Sequence, residues 1–156
     1  MAHDWAAAEV VVEGATFRWS LALLHWEFPG TTTGYDGNWI EAELDFVVEG
    51  PGRFTARHRT TILTAELISL ADELAALLAT DTGALEFETT EDETGLVIRP
   101  KDDAEGVYEV EAFVRVHTGA ELRAAELEIT RGQLAQAQHG LREARRAFPP
   151  RGGLND

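Results

Sequence analysis

The sequence predicts an α+β domain whose antiparallel strands form one strongly bent sheet or two packed sheets. Three observations lead to this expectation. About seven to eight short segments alternate apolar and polar residues, two longer segments have apolar residues at helical spacing, and short turns separate most of the strands. Two helices with one apolar face each must cover the apolar faces of the sheet.

The clearest local signal is a hairpin over residues 40–62. Apolar residues alternate with carboxylates before Gly50-Pro51-Gly52 and with arginines after it. A three-residue loop pairs residue 49 with 53, and the same register pairs residue 45 with 57 and residue 43 with 59. The apolar faces align under the same rule, so two patterns select one register. The outer face should then carry three cross-strand ion pairs, Glu49–Arg53, Asp45–Arg57 and Glu43–Arg59.

Other alternating or β-branched segments predict the remaining strands. A β-branched run over residues 9–13 stops at Gly14, and a longer strand is expected over residues 16–28. The alternation in that strand changes phase near Leu23-Leu24, which predicts a β-bulge there. Two further hairpins are expected, with strands at residues 85–88, 96–99, 107–117 and 122–129.

Two segments have the apolar spacing and the end signals of helices. Thr64 is the expected N-cap of a helix over about residues 64–80, and Glu66 lies in its first turn. Thr130 and Gln133 form the pattern of a capping box for a helix over about residues 130–147. Residues 1–150 are therefore expected to form one domain, with residues 151–156 as a flexible tail.

Charge and composition restrict the classes of partner. The chain has no cysteine and a net charge of −15, with a net charge of −12 in residues 61–113 alone. Phosphate binding needs clustered Lys and Arg, so neither nucleic acid nor an anionic membrane is an expected partner. The acidity either keeps the protein soluble or attracts a basic protein. The sequence shows no signal peptide, so we expect a cytoplasmic protein.

The sequence contains no recognisable catalytic or metal-binding motif. It lacks a Gly-x-Ser-x-Gly elbow, a phosphate-binding Walker loop and paired histidines at helical spacing. We therefore expect no enzyme activity, no metal and no cofactor. The alternatives are a small hydrolase that uses strand carboxylates, with His25 and Glu27 as the first suspects, or an accessory subunit of a larger assembly.

Trp39 lies on the acidic phase of its predicted strand, directly after a polar loop. Either it tucks under that loop, or it is an exposed aromatic anchor of the kind found at protein interfaces. The tucked arrangement is the preferred interpretation, because an unprotected surface tryptophan favours aggregation.

A family resemblance adds a functional expectation. The segment Trp26-Glu27-Phe28-Pro29-Gly30, followed by Tyr35-Asp36-Gly37-Asn38-Trp39-Ile40, resembles the opening of the WapI-type immunity protein family. The order of strands and helices over roughly residues 16–149 is also similar. The resemblance implies a cytoplasmic antidote that binds and blocks the toxin domain of a contact-dependent toxin, a nuclease that cleaves tRNA.

The surface expected to bind such a toxin follows from charge. The two acidic turns of residues 86–111 would present one continuous edge if both lay at the same end of a sheet, with Trp39 as the apolar anchor and the Tyr35–Asn38 loop around it. The predicted partner-binding residues are Tyr35, Asp36, Asn38, Trp39, Glu91, Asp92, Glu93, Asp102, Asp103 and Glu105.

Overall fold

The computed structural model of the chain describes residues 5–152, and within them it confirms the predicted fold class. The strands are β1 Ala8–Glu13, β2 Phe17–Trp26, β3 Trp39–Glu49, β4 Arg53–Leu63, β5 Leu85–Glu88, β6 Thr94–Pro100, β7 Val107–Arg115 and β8 Glu121–Thr130. The helices are α1 Thr64–Thr80 and α2 Arg131–Ala147. Four strands followed by a helix thus occur twice. The strands form two antiparallel sheets, in the orders β1-β2-β3-β4 and β5-β6-β7-β8.

The two sheets and both helices share one apolar core. Trp19 of β2 is completely buried, and its indole Nε1 donates a hydrogen bond of 2.9 Å to the Thr94 hydroxyl of β6. That hydroxyl donates in turn to the carbonyl of Phe113, at 2.8 Å. The buried polar atoms at this junction therefore have partners, and the indole joins one sheet to the other.

The predicted register of the β3–β4 hairpin is confirmed. Residue 49 lies opposite 53, residue 45 opposite 57 and residue 43 opposite 59. The predicted bulge in β2 is also confirmed, because the pairing of β2 with β3 shifts between Leu23 and His25. Both features follow from the period of two in side-chain direction along a strand, which the apolar pattern records directly.

The ion pairs on the outer face of the β3–β4 hairpin follow the prediction in part. Two of the predicted pairs are present, Asp45–Arg57 at 2.7 Å and Glu49–Arg53 at 3.6 Å. Arg59 was expected opposite Glu43, and its guanidinium lies 3.5 Å from the carboxylate of Glu41. A long arginine side chain reaches such diagonal neighbours as readily as the residue directly opposite.

Helix α1 begins differently from the prediction. Thr64 is its first helical residue and Leu63 is the N-cap. Glu66 satisfies the start of the helix, because its carboxylate accepts a hydrogen bond of 2.7 Å from the backbone N–H of Leu63. The Thr64 hydroxyl is not free to cap, since it donates to Asn38 Oδ1 at 2.9 Å. A tertiary contact has thus replaced the local one.

Helix α2 begins as predicted, with reciprocal hydrogen bonds between Thr130 and Gln133. Beyond the helix, the backbone N–H of Arg151 donates to Asn38 Oδ1 at 2.9 Å.

Residues 153–156 of the predicted tail lie outside the described residues. Within residues 5–152, no helix is both long and apolar enough to span a bilayer.

Candidate functional site

Asn38 fixes the loop that connects β2 to β3. Its Nδ2 donates to the carbonyls of Gly34, at 2.7 Å, and Arg151, at 3.0 Å. Its Oδ1 accepts from the Arg151 N–H and from the Thr64 hydroxyl, both at 2.9 Å. The side chain is completely buried and uses both donors and both acceptor positions. Asn38, a predicted contact residue, is therefore placed as an internal support of the loop.

Trp39 is covered by the same loop, which confirms the tucked arrangement. Its exposed fraction is 7%, and the Tyr35 ring packs edge-on against it with the ring centroids 5.3 Å apart. Tyr35 itself is 54% exposed. The surface aromatic at this position is therefore Tyr35, and Trp39 is the rigid base beneath it.

Carboxylates from three segments of the chain converge beside this aromatic pair. Glu27 lies next to Trp39, and its backbone N–H donates to the Trp39 carbonyl at 3.0 Å. Burial, together with the nearby carboxylates of Glu41, Glu91 and Asp36, raises the pKa of Glu27. The convergence concentrates negative charge next to an exposed ring. We define the acidic–aromatic face as Glu27, Tyr35, Asp36, Glu41 and Glu91.

A shallow depression of about 410 Å³ adjoins the acidic–aromatic face. Glu41 and Glu91 belong to both, and the remainder is lined by Arg59, Thr60, Thr61, Glu93 and His117. Its walls are largely polar, whereas sites for small molecules are mostly apolar. The depression therefore suits a charged side chain of a protein partner better than an apolar ligand.

Glu93 is buried, although it was predicted to bind a partner from an exposed acidic turn. Its exposed fraction is 7%, and its Oε1 lies 3.0 Å from His58 Nε2 and 3.2 Å from His117 Nε2. Its other carboxylate oxygen accepts a hydrogen bond from the Thr60 hydroxyl. This cluster joins β4 of the first sheet to the β5–β6 turn of the second. Glu93 thus holds the two sheets together and is not part of the exposed edge.

Sequence reasoning missed the His58–Glu93–His117 cluster. His58 and Thr60 are 35 and 33 residues away from Glu93 along the chain. Glu93 also stands in a run of three acids, which is typical of a solvated turn. No local pattern separates it from its two exposed neighbours.

The two acidic turns do not form the continuous edge that we predicted. Consecutive turns of an antiparallel meander leave the sheet at opposite ends, and β6 separates these two turns. The seven residues of β6 place them about 20 Å apart. Glu91 and Asp92 therefore lie at one end of the second sheet. Asp102, Asp103 and Glu105 are exposed at the other end.

Asp92 differs from Glu91 in its surroundings. A hydrogen bond from Glu88, reinforced by the Arg115 guanidinium, lowers the pKa of the Asp92 carboxyl. The Arg115 Nη1 lies 2.7 Å from Asp92 Oδ2. The charge of Asp92 is thus partly neutralised by Arg115, so Glu91 is the carboxylate that is more available to a partner.

His25 and Glu27, the suspects for hydrolysis, lie on the same side of the first sheet. His25 Nε2 lies 3.6 Å from Glu41 Oε2, and its side chain is 63% exposed. Neither residue lines the depression beside the acidic–aromatic face. Within residues 5–152, no group of three or more His, Asp or Glu side chains has an arrangement that could hold a metal ion.

Comparison with known proteins identifies the family. The profile described as the Immunity protein WapI-like family matches residues 5–149, which confirms the resemblance seen in the sequence. A chain of the solved structure described as "Crystal structures of trypanosoma bruciei MRP1/MRP2" is 13% identical, with a TM-score of 0.49, and the alignment covers 90% of this chain and 84% of that one. That likeness is too remote to bear on function. No curated protein matches. The chain belongs to the WapI-like immunity protein family.

Proposed function

We propose that this chain is a cytoplasmic immunity protein that neutralises a basic, nuclease-type toxin domain by binding it directly. Membership of an immunity protein family supports a protein toxin as the partner. The observation that carries the proposal is the grouping of the Asp36, Glu41 and Glu91 carboxylates near Glu27, beside the Tyr35–Trp39 aromatic pair. On this proposal the protein acts by binding and needs no catalytic group.

Charge explains how the partner would be attracted. A nuclease must hold RNA phosphates, so its active site should be basic. The net charge of −15 would steer a basic domain toward this chain, and the acidic–aromatic face would receive it. Burial, and after it repulsion from the carboxylates of Glu41, Glu91 and Asp36, raises the pKa of Glu27 in the free protein. A partner's Arg or Lys placed there would relieve that repulsion.

Tyr35 would slow dissociation of the complex, because electrostatic steering raises only the rate of association. Tyrosine is enriched at interface hot spots, where a rigid aromatic ring buries much area at little conformational cost. The edge-on contact with Trp39 and the loop anchored by Asn38 hold the ring in place. Asp92 would lie at the rim of this contact. Asp102, Asp103 and Glu105, at the opposite end, would add only long-range attraction.

The test requires a candidate toxin domain, which is to be sought among the genes that neighbour this chain's gene. Co-expression of the two should protect cells, and the purified proteins should form a complex. Tyr35→Ala should raise Kd about tenfold or more, mainly through faster dissociation. Phe54→Ala is the matched control, because Phe54 of β4 is 62% exposed but lies outside the acidic–aromatic face.

Two results would count against the proposal. The immunity role fails if the chain neither binds the neighbouring toxin domain nor protects cells from it. The assignment of the face fails if a complex forms and Tyr35→Ala binds as tightly as Phe54→Ala, with both variants folded by circular dichroism.

A further inference from the structure

We infer that the segment following α2, residues 148–152, contacts the loop of residues 27–38 and restricts it to the conformation that binds the partner, with Arg151 as the positioning residue. We call residues 148–152 the clasp segment. The inference rests on the proposed function, because that loop carries Tyr35 and Asp36. It assigns a role to a segment that contributes no residue to the acidic–aromatic face.

The backbone of Arg151 is joined to the end of the loop by a reciprocal pair of hydrogen bonds. The Arg151 N–H donates to Asn38 Oδ1 at 2.9 Å, and the Arg151 carbonyl accepts from Asn38 Nδ2 at 3.0 Å. The same amide group also donates to the Gly34 carbonyl. One buried side chain thus ties the clasp segment to the residue that immediately precedes Tyr35.

The Arg151 side chain reaches the beginning of the loop. Its guanidinium lies over the Trp26 ring, 4.5 Å from the centroid, and its Nη2 donates to the Pro29 carbonyl at 2.9 Å. Phe148 packs edge-on against the same indole, with the ring centroids 5.2 Å apart. The segment after α2 therefore contacts both ends of the loop, at Pro29 and at Asn38.

Gly152 extends the clasp to the middle of the loop. Its φ of +67° is in the left-handed region, and a Cβ at this position would lie 3.1 Å from Thr33. The loop has few backbone hydrogen bonds of its own; two examples are Thr31 to Phe28 and Asn38 to Tyr35. The loop's own hydrogen bonds restrain it only weakly, so contacts with the clasp segment provide additional restraint. A preordered loop loses less conformational entropy when it binds.

The first experiment measures amide hydrogen exchange in the free protein and needs no partner. Arg151→Ala should speed exchange of residues 31–38 about three- to tenfold, and Arg151→Lys should restore part of the protection because it keeps the charge over Trp26. Arg145→Ala is the matched control. It removes the same charge from an exposed position in the last turn of α2. A second variant, a chain ending at Pro150, removes the backbone bonds to Asn38 as well.

The second experiment measures binding to the toxin domain by surface plasmon resonance. Arg151→Ala should weaken binding several-fold, whereas Arg145→Ala should not. Unchanged exchange of residues 31–38, both in Arg151→Ala and in the chain ending at Pro150, would overturn the clasp whatever the binding data show.

The binding result separates the inference from the proposed function. If the loop exchanges faster, Tyr35→Ala weakens binding and Arg151→Ala does not, then the positioning role is overturned while the proposed face stands. If the loop exchanges faster but neither variant affects binding, then the proposed face is wrong while the clasp on the loop stands.

Discussion

Replacing Asn38 with Ala is the sharpest test of how the loop is built. The substitution removes four hydrogen bonds of 2.7–3.0 Å from a side chain that is completely buried. The backbone N–H and carbonyl of Arg151 belong to a partly exposed residue and can form hydrogen bonds with water instead. The Gly34 carbonyl and the Thr64 hydroxyl lie in buried residues and lose their partner.

The expected loss follows from those two groups. Each buried polar group left without a partner costs about 1–3 kcal/mol, so Asn38→Ala should lower the free energy of unfolding by about 2–6 kcal/mol. For a chain of this size each kcal/mol lowers Tm by roughly 2–4 °C. Thr64→Val should cost only about 1 kcal/mol, because Asn38 Oδ1 keeps its bond from Arg151. The double variant should cost less than the sum, since the Thr64 hydroxyl that Asn38→Ala strands is then absent.

Urea unfolding monitored by tryptophan fluorescence measures all three variants. Asn38→Ala should lower the urea midpoint and leave the slope unchanged. An Asn38→Ala protein whose free energy of unfolding lies within about 1 kcal/mol of the parent would contradict this role of Asn38, as would strict additivity in the cycle with Thr64→Val.

Two further predictions concern pH and backbone packing. The pKa of Glu27 is raised above 4.5 in the folded state, so the parent should lose stability relative to Glu27→Gln as pH rises from about 4.5 through the raised pKa. Above that pH, the stabilities of the two proteins should change in parallel. Urea midpoints between pH 4 and 8 measure this, and a difference between the two proteins that stays constant across the range would contradict it. Gly14→Ala should cost about 1–3 kcal/mol, because a Cβ there would lie 2.2 Å from the Glu128 carbonyl oxygen. Gly30→Ala, with no atom within 4 Å of the new Cβ, should stay within about 0.5 kcal/mol, and equal losses for the two would show that the close approach is not decisive.

The parts of the fold that the sequence predicted are those with local causes. The β3–β4 register follows from a three-residue loop and two alternating faces, all within 25 residues of one another. The capping box at Thr130 and the bulge after Leu23 are equally local. The predicted N-cap at Thr64 was wrong because the preferred partner of its hydroxyl, Asn38, lies 26 residues away.

The candidate site was predictable only in part, for the same reason. Sequence alone drew attention to the Tyr35–Trp39 segment and to the acidic turn at Glu91. It could not show that Trp39 is covered by Tyr35, or that Glu93 turns inward to two histidines from distant strands. The prediction that both acidic turns form one edge was wrong, because consecutive turns of an antiparallel meander lie at opposite ends of the sheet.

The proposed function requires that the partner binds at the acidic–aromatic face and not merely at any acidic surface. Stopped-flow association with the toxin domain tests it, using two double charge reversals that change the net charge equally. Asp36→Lys with Glu91→Lys alters the face, and Asp102→Lys with Asp103→Lys alters the turn at the opposite end of β6. At roughly 50 mM salt the first should slow association about tenfold and flatten its salt dependence, while the second should slow it by only about twofold. Equal slowing by both pairs, or greater slowing by the second, would contradict the account.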